Sequence, residues 1–293
     1  MKNTVRLSFI AFAAILAFAA GNRVSAVTVV KDIVYDASLG AYGLGDLYLP
    51  ETADAESLPV VLCIHGGGWS GGDRASWAGV AKFFSEELGF AAFNIEYRLA
   101  GASARWPACG NDCVAAANFL LSEGFKQEYG LAYTKIWICG GSAGGHLALW
   151  TLVNLPADKV AGCVSISAIG RPEDDCAVHP SRYSTLFGAA PSEEQFRSMD
   201  PCDRIASGMA PLLCTHADVD TEAPVSSHRA FAKAYAAAGN DCRFFEYPWN
   251  VHPNLPGHRI WVNGSDPHKL IPEIEHSIRD FTCRIRFGRK NAQ

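Results

Sequence analysis

Residues 135–150 read KIWICGGSAGGHLALW: an apolar run, a cluster of small residues, then an apolar run of different period. Ile136 to Cys139 have the continuous apolar character of a strand buried on both faces, whereas GGHLALWTLVNL carries helical spacing. Between them, Gly140, Ser142 and Gly144 spell G-x-S-x-G. Small neighbours let such a turn close so tightly that the serine is pushed up at the mouth of the sheet. A plain Gly-rich turn has the same letters. The placement between a strand and a helix makes Ser142 the candidate nucleophile.

The same alternation extends outward in both directions. VTVVKDIVY (27–35) and LGDLYLP (44–50) read as two strands joined by a Gly-rich turn. VVLCIHG (60–66) is a buried strand, WAGVAKFFSEEL (77–88) a helix, GFAAFNIEYR (89–98) a strand and CVAAANFLLSEGF (113–125) a helix. After the serine turn come a strand in VAGCVSISA (160–168), a strand in PLLCTH (211–216), a helix in 225–239, a strand in CRFFEYP (242–248) and a closing helix in 267–284. This pattern predicts an α/β fold with a mostly parallel sheet covered by helices on both faces. One domain over 27–293 is expected. Polar, Pro-containing sequence from about Gly170 to Gly208 breaks the alternation and is expected to form a small cap over the pocket.

Composition narrows the function classes. With 49% apolar and 19% charged residues among 293, the chain is that of a globular protein with one sizeable core. Net charge is −5, and the only basic cluster, Arg284, Arg286, Arg289 and Lys290, reads as a solvated end. No basic face is available for nucleic acid. Lys2 and Arg6 precede an apolar run from Leu7 to Ala20, and Val24-Ser25-Ala26 offers the small residues that a signal peptidase reads. The run would span about 21 Å as a helix, short of a hydrocarbon core of about 30 Å. Residues 1–26 are therefore expected to be a signal peptide cleaved near Ala26, leaving an exported chain, periplasmic or extracellular, with no stable membrane anchor.

Export directs attention to the ten cysteines. Cys63, Cys139, Cys163 and Cys214 sit inside apolar strands and read as small buried thiols. Cys109, Cys113, Cys176, Cys202, Cys242 and Cys283 lie in polar or helical stretches, where Cys109–Cys113 is the one local disulfide to expect. No paired spacing suitable for zinc occurs.

His65-Gly66-Gly67-Gly68-Trp69 stands at the end of the buried strand VVLCIHG. If Ser142 attacks a carbonyl, donors must already face the developing oxyanion, and glycines let backbone amides approach. Gly67, Gly68 and Ala143 are the candidates. Gly66, Gly68 and Gly71 also spell G-x-G-x-x-G with Glu96 ending the next strand, a partial dinucleotide fingerprint. That acid stands too far along, and two strands precede the motif. The serine needs a base and the base an orienting acid, in chain order Ser, acid, His. Asp218 and Asp220 compete for the acid, both in the loop after PLLCTH. His252, His258 and His268 follow the last strand, His268 as a helix-end residue. His146, His179, His216, His228 and His276 read as packing or surface residues.

HGGGW with GGSAGG resembles the carboxylesterase branch of the α/β-hydrolases, and more narrowly the BD-FAE-type hydrolases related to feruloyl and acetyl xylan esterases. Glu96-Tyr97-Arg98-Leu99 is similar to that family's [DN]YRL, and Pro107 and Asp112 stand ahead of the helix leading to the serine turn. His216-Ala217-Asp218-Val219-Asp220-Thr221-Glu222-Ala223-Pro224 resembles HGxxDxxVP, with Ala217 for Gly and Ala223 for Val, which places the acid at Asp220 with Asp218 as alternative. His258-Arg259-Ile260-Trp261, followed by Pro267-His268-Lys269-Leu270, resembles a subset whose base is then His258, with His252 as alternative because the usual GxGHGF is absent. The resemblance implies a serine carboxylesterase that needs no metal or organic cofactor; with the export signal and the aromatic loops, a secreted enzyme acting on short acyl or aryl esters of carbohydrate or plant-derived material is expected. Trp69, Trp77, Trp106, Trp249 and Trp261 are expected near the pocket, as platforms for sugar or aryl groups or as loop packing. The rivals are a serine exopeptidase of the same fold, a non-catalytic ligand-binding relative and, more remotely, an NAD-dependent oxidoreductase.

Overall fold

The computed structural model describes residues 27–51, 57–248, 257–262 and 269–288. Residues 1–26, with the expected export signal, lie outside them, as do His252, Trp249 and His268.

Eight strands form one sheet: β1 (Val27–Val34), β2 (Leu44–Pro50), β3 (Val60–Ile64), β4 (Ala91–Ile95), β5 (Ile136–Gly141), β6 (Val160–Ile166), β7 (Leu212–Ala217) and β8 (Cys242–Tyr247). Their spatial order is β1-β2-β4-β3-β5-β6-β7-β8. β2 runs antiparallel to both neighbours, and from β4 onward every pairing is parallel. Parallel strands end on the same side, so the loops after β3, β5 and β7 open together at one edge of the sheet.

The central strands alternate between two apolar layers. Val60, Leu62 and Ile64 join a cluster with Phe93, Ile138 and Leu147, while Val61 and Cys63 join one with Cys139, Val164 and Phe281 on the other face. The helices that cover these layers are α1 (Ala78–Lys82), α2 (Ala108–Leu121), α3 (Glu123–Tyr129), α4 (Ala143–Asn154), α5 (Pro172–Cys176), α6 (Pro180–Phe187), α7 (Glu193–Met199), α8 (Val225–Ala237) and α9 (Pro272–Phe287).

Three details depart from the sequence reading. The segment 77–88 is not one helix: α1 is short and continues as a π turn over Phe83–Glu87, in which the consecutive Phe83 and Phe84 are both buried. The link between β1 and β2 is a 3-10 segment, Ala37–Gly43, capped by the Asp36 side chain. The insertion is more ordered than its composition suggests, forming α5, α6, α7 and a 3-10 turn at Pro201–Arg204.

The disulfide expectation fails. All ten cysteines are free, and Cys109 and Cys113 lie one turn apart on the buried face of α2. Helix positions four apart place Cβ atoms about 5–6 Å from each other, whereas a disulfide needs about 3.5–4.5 Å. Both thiols act as small apolar side chains, and burial pushes Cys109 up to about 12.

Candidate active site

The turn after β5 closes because its glycines leave room. A Cβ on Gly140 would lie 2.1 Å from the Gly144 carbonyl oxygen, and one on Gly144 would lie 2.3 Å from the Ile64 carbonyl oxygen of β3. Ser142 takes φ 59° and ψ −127°, a conformation that L-residues avoid and that costs about 1–3 kcal/mol. Its amide is held by the Ile166 carbonyl at 2.9 Å, and α4 begins at the next residue. The hydroxyl thereby stands where the parallel strands end.

His258 and Asp220 meet it there. The Ser142 hydroxyl donates to His258 Nε2 at 2.8 Å, and His258 Nδ1–H donates to Asp220 Oδ2 at 2.7 Å. Asp220 Oδ1 accepts the amides of Glu222 at 2.8 Å and Ala223 at 3.0 Å. Burial alone would raise this carboxyl, but the hydrogen bonds it accepts from His216 and His258 hold it well below the usual carboxylate range. Asp218, the alternative acid, is exposed, and it is Asp220 that receives the His258 Nδ1–H.

A residue read from sequence as packing completes the acid's surroundings. His216 Nε2 lies 3.0 Å from Asp220 Oδ2 and 3.0 Å from the Ala223 carbonyl oxygen, so this nitrogen carries the proton. Its Nδ1 faces His228 Nδ1 at 3.0 Å. His228 is fully buried and desolvation pushes it well below the usual imidazole range, so it is neutral and its Nδ1–H donates to His216. The histidine of the HGxxD-like stretch was visible in the sequence. Its contact with the acid depends on the loop folding back from β7, which spacing does not reveal.

The second loop, after β3, is shaped by the residues around it. Gly67 has φ 125°, and a Cβ there would strike the Gly71 carbonyl at 2.0 Å; Gly68 has φ 58°. His65 is buried, its Nδ1–H donating to the Gly66 carbonyl at 2.7 Å and its ring stacked on Tyr97 at 4.2 Å. The Tyr97 hydroxyl donates to the His65 carbonyl at 2.9 Å. Arg98 in turn binds Asp112 through Nε and Nη2 at 2.9 and 2.6 Å. The EYRL stretch thus braces the glycine loop. Glu96, the acid of the dinucleotide fingerprint, accepts the Arg74 amide at 3.2 Å and faces His65 Nε2 at 3.5 Å, so it serves this brace rather than a ribose.

Gly66, Gly67, Gly68, Gly72, Ser76, Trp77, Ser142, Arg182, Glu222, His258, Arg259 and Trp261 line a cavity of about 370 Å³. Of the tryptophans expected near the pocket, Trp77 and Trp261 line it, their rings 5.1 Å apart. Trp69 and Trp106 are corrected to packing residues: Trp69 is fully buried and donates its indole N–H to His146 Nδ1 at 3.2 Å, and Trp106 packs on His146 and Trp150. His146 Nε2–H donates to the Met199 carbonyl at 2.9 Å, tying α4 to the insertion, and burial pushes its pKa down to about 4. Arg182 enters from α6 and had no motif to announce it.

Among known families, the BD-FAE model matches residues 45–235, which include Ser142, the glycine loop and Asp220. The chain belongs to the BD-FAE family. A likeness in the same direction links this BD-FAE chain to Esterase LipI of Mycobacterium tuberculosis, 30% identical over 119 residues, 41% of this chain and 36% of that protein. The curated relatives matched are covered over only 26% to 38% of their own length. Among solved structures, Esterase B from Lactobacillus rhamnosis superposes with a TM-score of 0.74 at 18% identity, covering 94% of this chain and 92% of that one. A truncated carbohydrate esterase from gut microbiota superposes at 0.71 with 19% identity, covering 88% and 96%. The architecture is the α/β-hydrolase fold.

Proposed function

We propose that this BD-FAE protein is an exported serine carboxylesterase acting on short acyl or aryl esters of carbohydrate or plant-derived material. The observation that carries the reading is the continuous chain from the Ser142 hydroxyl through His258 to Asp220, at 2.8 and 2.7 Å, opening into a cavity. In the first step His258 Nε2 takes the Ser142 proton as Oγ attacks the ester carbonyl carbon. The amides of Gly67, Gly68 and Ala143 face the resulting oxyanion, Ala143 at the positive end of α4. The imidazolium gives its proton to the departing alkoxide, leaving an acyl-enzyme, and water then repeats the sequence with His258 as base. Asp220 holds the imidazole with Nδ1 protonated and stabilises its cation.

A cavity of about 370 Å³ suits a short acyl group or a single ring rather than a long chain. Trp77 and Trp261 offer it apolar faces. The likeness to a carbohydrate esterase supports the glycan side of the reading, and the signal-like residues 1–26 support export. The test is release of p-nitrophenol from a series of short-chain esters by residues 27–293, beside Ser142→Ala. Serine-dependent turnover that declines with chain length is expected; equal rates in both proteins overturn the reading.

A further inference from the structure

The insertion carries no motif, yet its Arg182 reaches the cavity that holds Ser142. The guanidinium is anchored from behind. Its Nη1 donates to Asp175 Oδ2 at 2.8 Å and to the Glu222 carbonyl at 3.1 Å. Asp175 is fully buried on α5 and also accepts the Tyr183 hydroxyl at 3.0 Å. A buried carboxylate of this kind needs a cationic partner, so Arg182 is fixed in place rather than swinging in solvent.

One nitrogen carries that anchorage, and the remaining donors are left over. Nη2 forms an ion pair with the exposed Glu222 carboxylate at 3.8 Å, too long for a hydrogen bond, and Nε donates to no group among the described residues. Nε lies 3.7 Å from where a Cβ on Gly68 would be, so the spare donors flank the glycine loop that faces the oxyanion. A second guanidinium, Arg259, directly follows His258, lines the same cavity and is exposed. Against these two cations the lining holds a single carboxylate among the described residues, Glu222. Guanidinium donors in a planar fork match a carboxylate.

We propose that Arg182, assisted by Arg259, forms an anion subsite beside Ser142, and that the preferred substrate is an ester bearing a second carboxylate, on its acyl or its alcohol half. This rests on the esterase reading above and names the substrate class of the same site.

The test compares matched pairs. On the acyl side, p-nitrophenyl butyrate is set against the p-nitrophenyl half-ester of glutaric acid. On the alcohol side, phenyl acetate is set against O-acetylated meta-hydroxyphenylacetate. Rates of Ser142→Ala are subtracted. The expected result is a higher kcat/KM for the carboxylate member of at least one pair, with a preference that weakens as salt is raised. That preference should fall about tenfold or more in Arg182→Met, as for loss of a charge-assisted hydrogen bond. Because Arg182→Met leaves Asp175 without its cation, Arg259→Ser supplies an independent variant at an exposed position and should lower the same ratio. Arg182→Lys keeps the charge and should retain part of it. Absence of preference in both pairs, or a ratio unchanged in Arg182→Met and Arg259→Ser, overturns the subsite while neutral esters still report serine-dependent turnover. Loss of turnover on every ester would instead strike the esterase reading itself.

Discussion

The cavity has two kinds of wall. On one side stand the glycine loop after β3 and the serine turn after β5, built from contiguous residues whose conformations follow from their own composition. On the other stands the insertion, which contributes Arg182 through a salt bridge to Asp175 seven residues away and a contact with Glu222 forty residues on. The first wall is backbone held by close approach of glycines, and the second is a charged side chain held by a buried partner. On the proposed reading, chemistry common to many esters sits on the first, and selection among esters on the second. A fold can therefore keep the first wall and change its substrate by rebuilding the second.

Breaking the first wall should cost the most. Asp220→Asn removes the acceptor that fixes the His258 tautomer, and kcat should fall by about 10⁴-fold with KM little changed. Steady-state kinetics checks this; a loss of less than tenfold would mean that another group orients His258.

A smaller effect sharpens the boundary of that wall. His216 touches no reacting atom but donates toward Asp220 Oδ2, so it is a positioning residue. His216→Phe should lower kcat by about 10- to 100-fold, the range for one hydrogen bond to a charged group, and leave KM near the parent value. It should also shift the acid limb of the pH–rate profile, which a purely structural role would not do. Parallel changes in kcat and KM with an unmoved profile would return His216 to packing.

The last prediction concerns stability rather than rate, at the joint between the walls. His146 is neutral in the fold with a pKa near 4, against 6.5 for the free side chain. Between these values the unfolded chain binds the proton and the folded chain does not, so stability is full above about pH 6.5 and is lost as pH falls toward 4. The buried shift corresponds to about 3 kcal/mol by pH 4. His146→Gln should give denaturant melts with a shallower loss of stability between these pH values; an unchanged slope would show that His146 does not carry it. His228, depressed in the same direction, supplies part of the remaining slope.

How much of this was legible beforehand depends on the range of the forces involved. Periodicity revealed the strands because burial on both faces of a parallel sheet demands continuous apolar runs, as in Val60–Ile64 and Leu212–Ala217. The serine turn and the glycine loop were legible because a backbone squeezed to 2.1 Å of a would-be Cβ admits only glycine, a constraint written at the position itself. The resemblance pointed to Asp220 and His258, and the structure brings them together with Ser142. The disulfide expectation failed because helical spacing, not proximity in sequence, sets where two thiols point.

By itself the sequence determined the alternating α/β layers, the serine on its strained turn and the family to which the chain belongs, since each rests on local sterics or on the period of burial. Only the tertiary structure decided that His216 supports Asp220, that Trp69 packs while Trp77 and Trp261 line the cavity, and that Arg182 reaches the site. Those contacts join residues whose separation along the chain carries no period and no spacing rule. They exist because long-range packing and the pairing of a buried charge leave each side chain one place to stand.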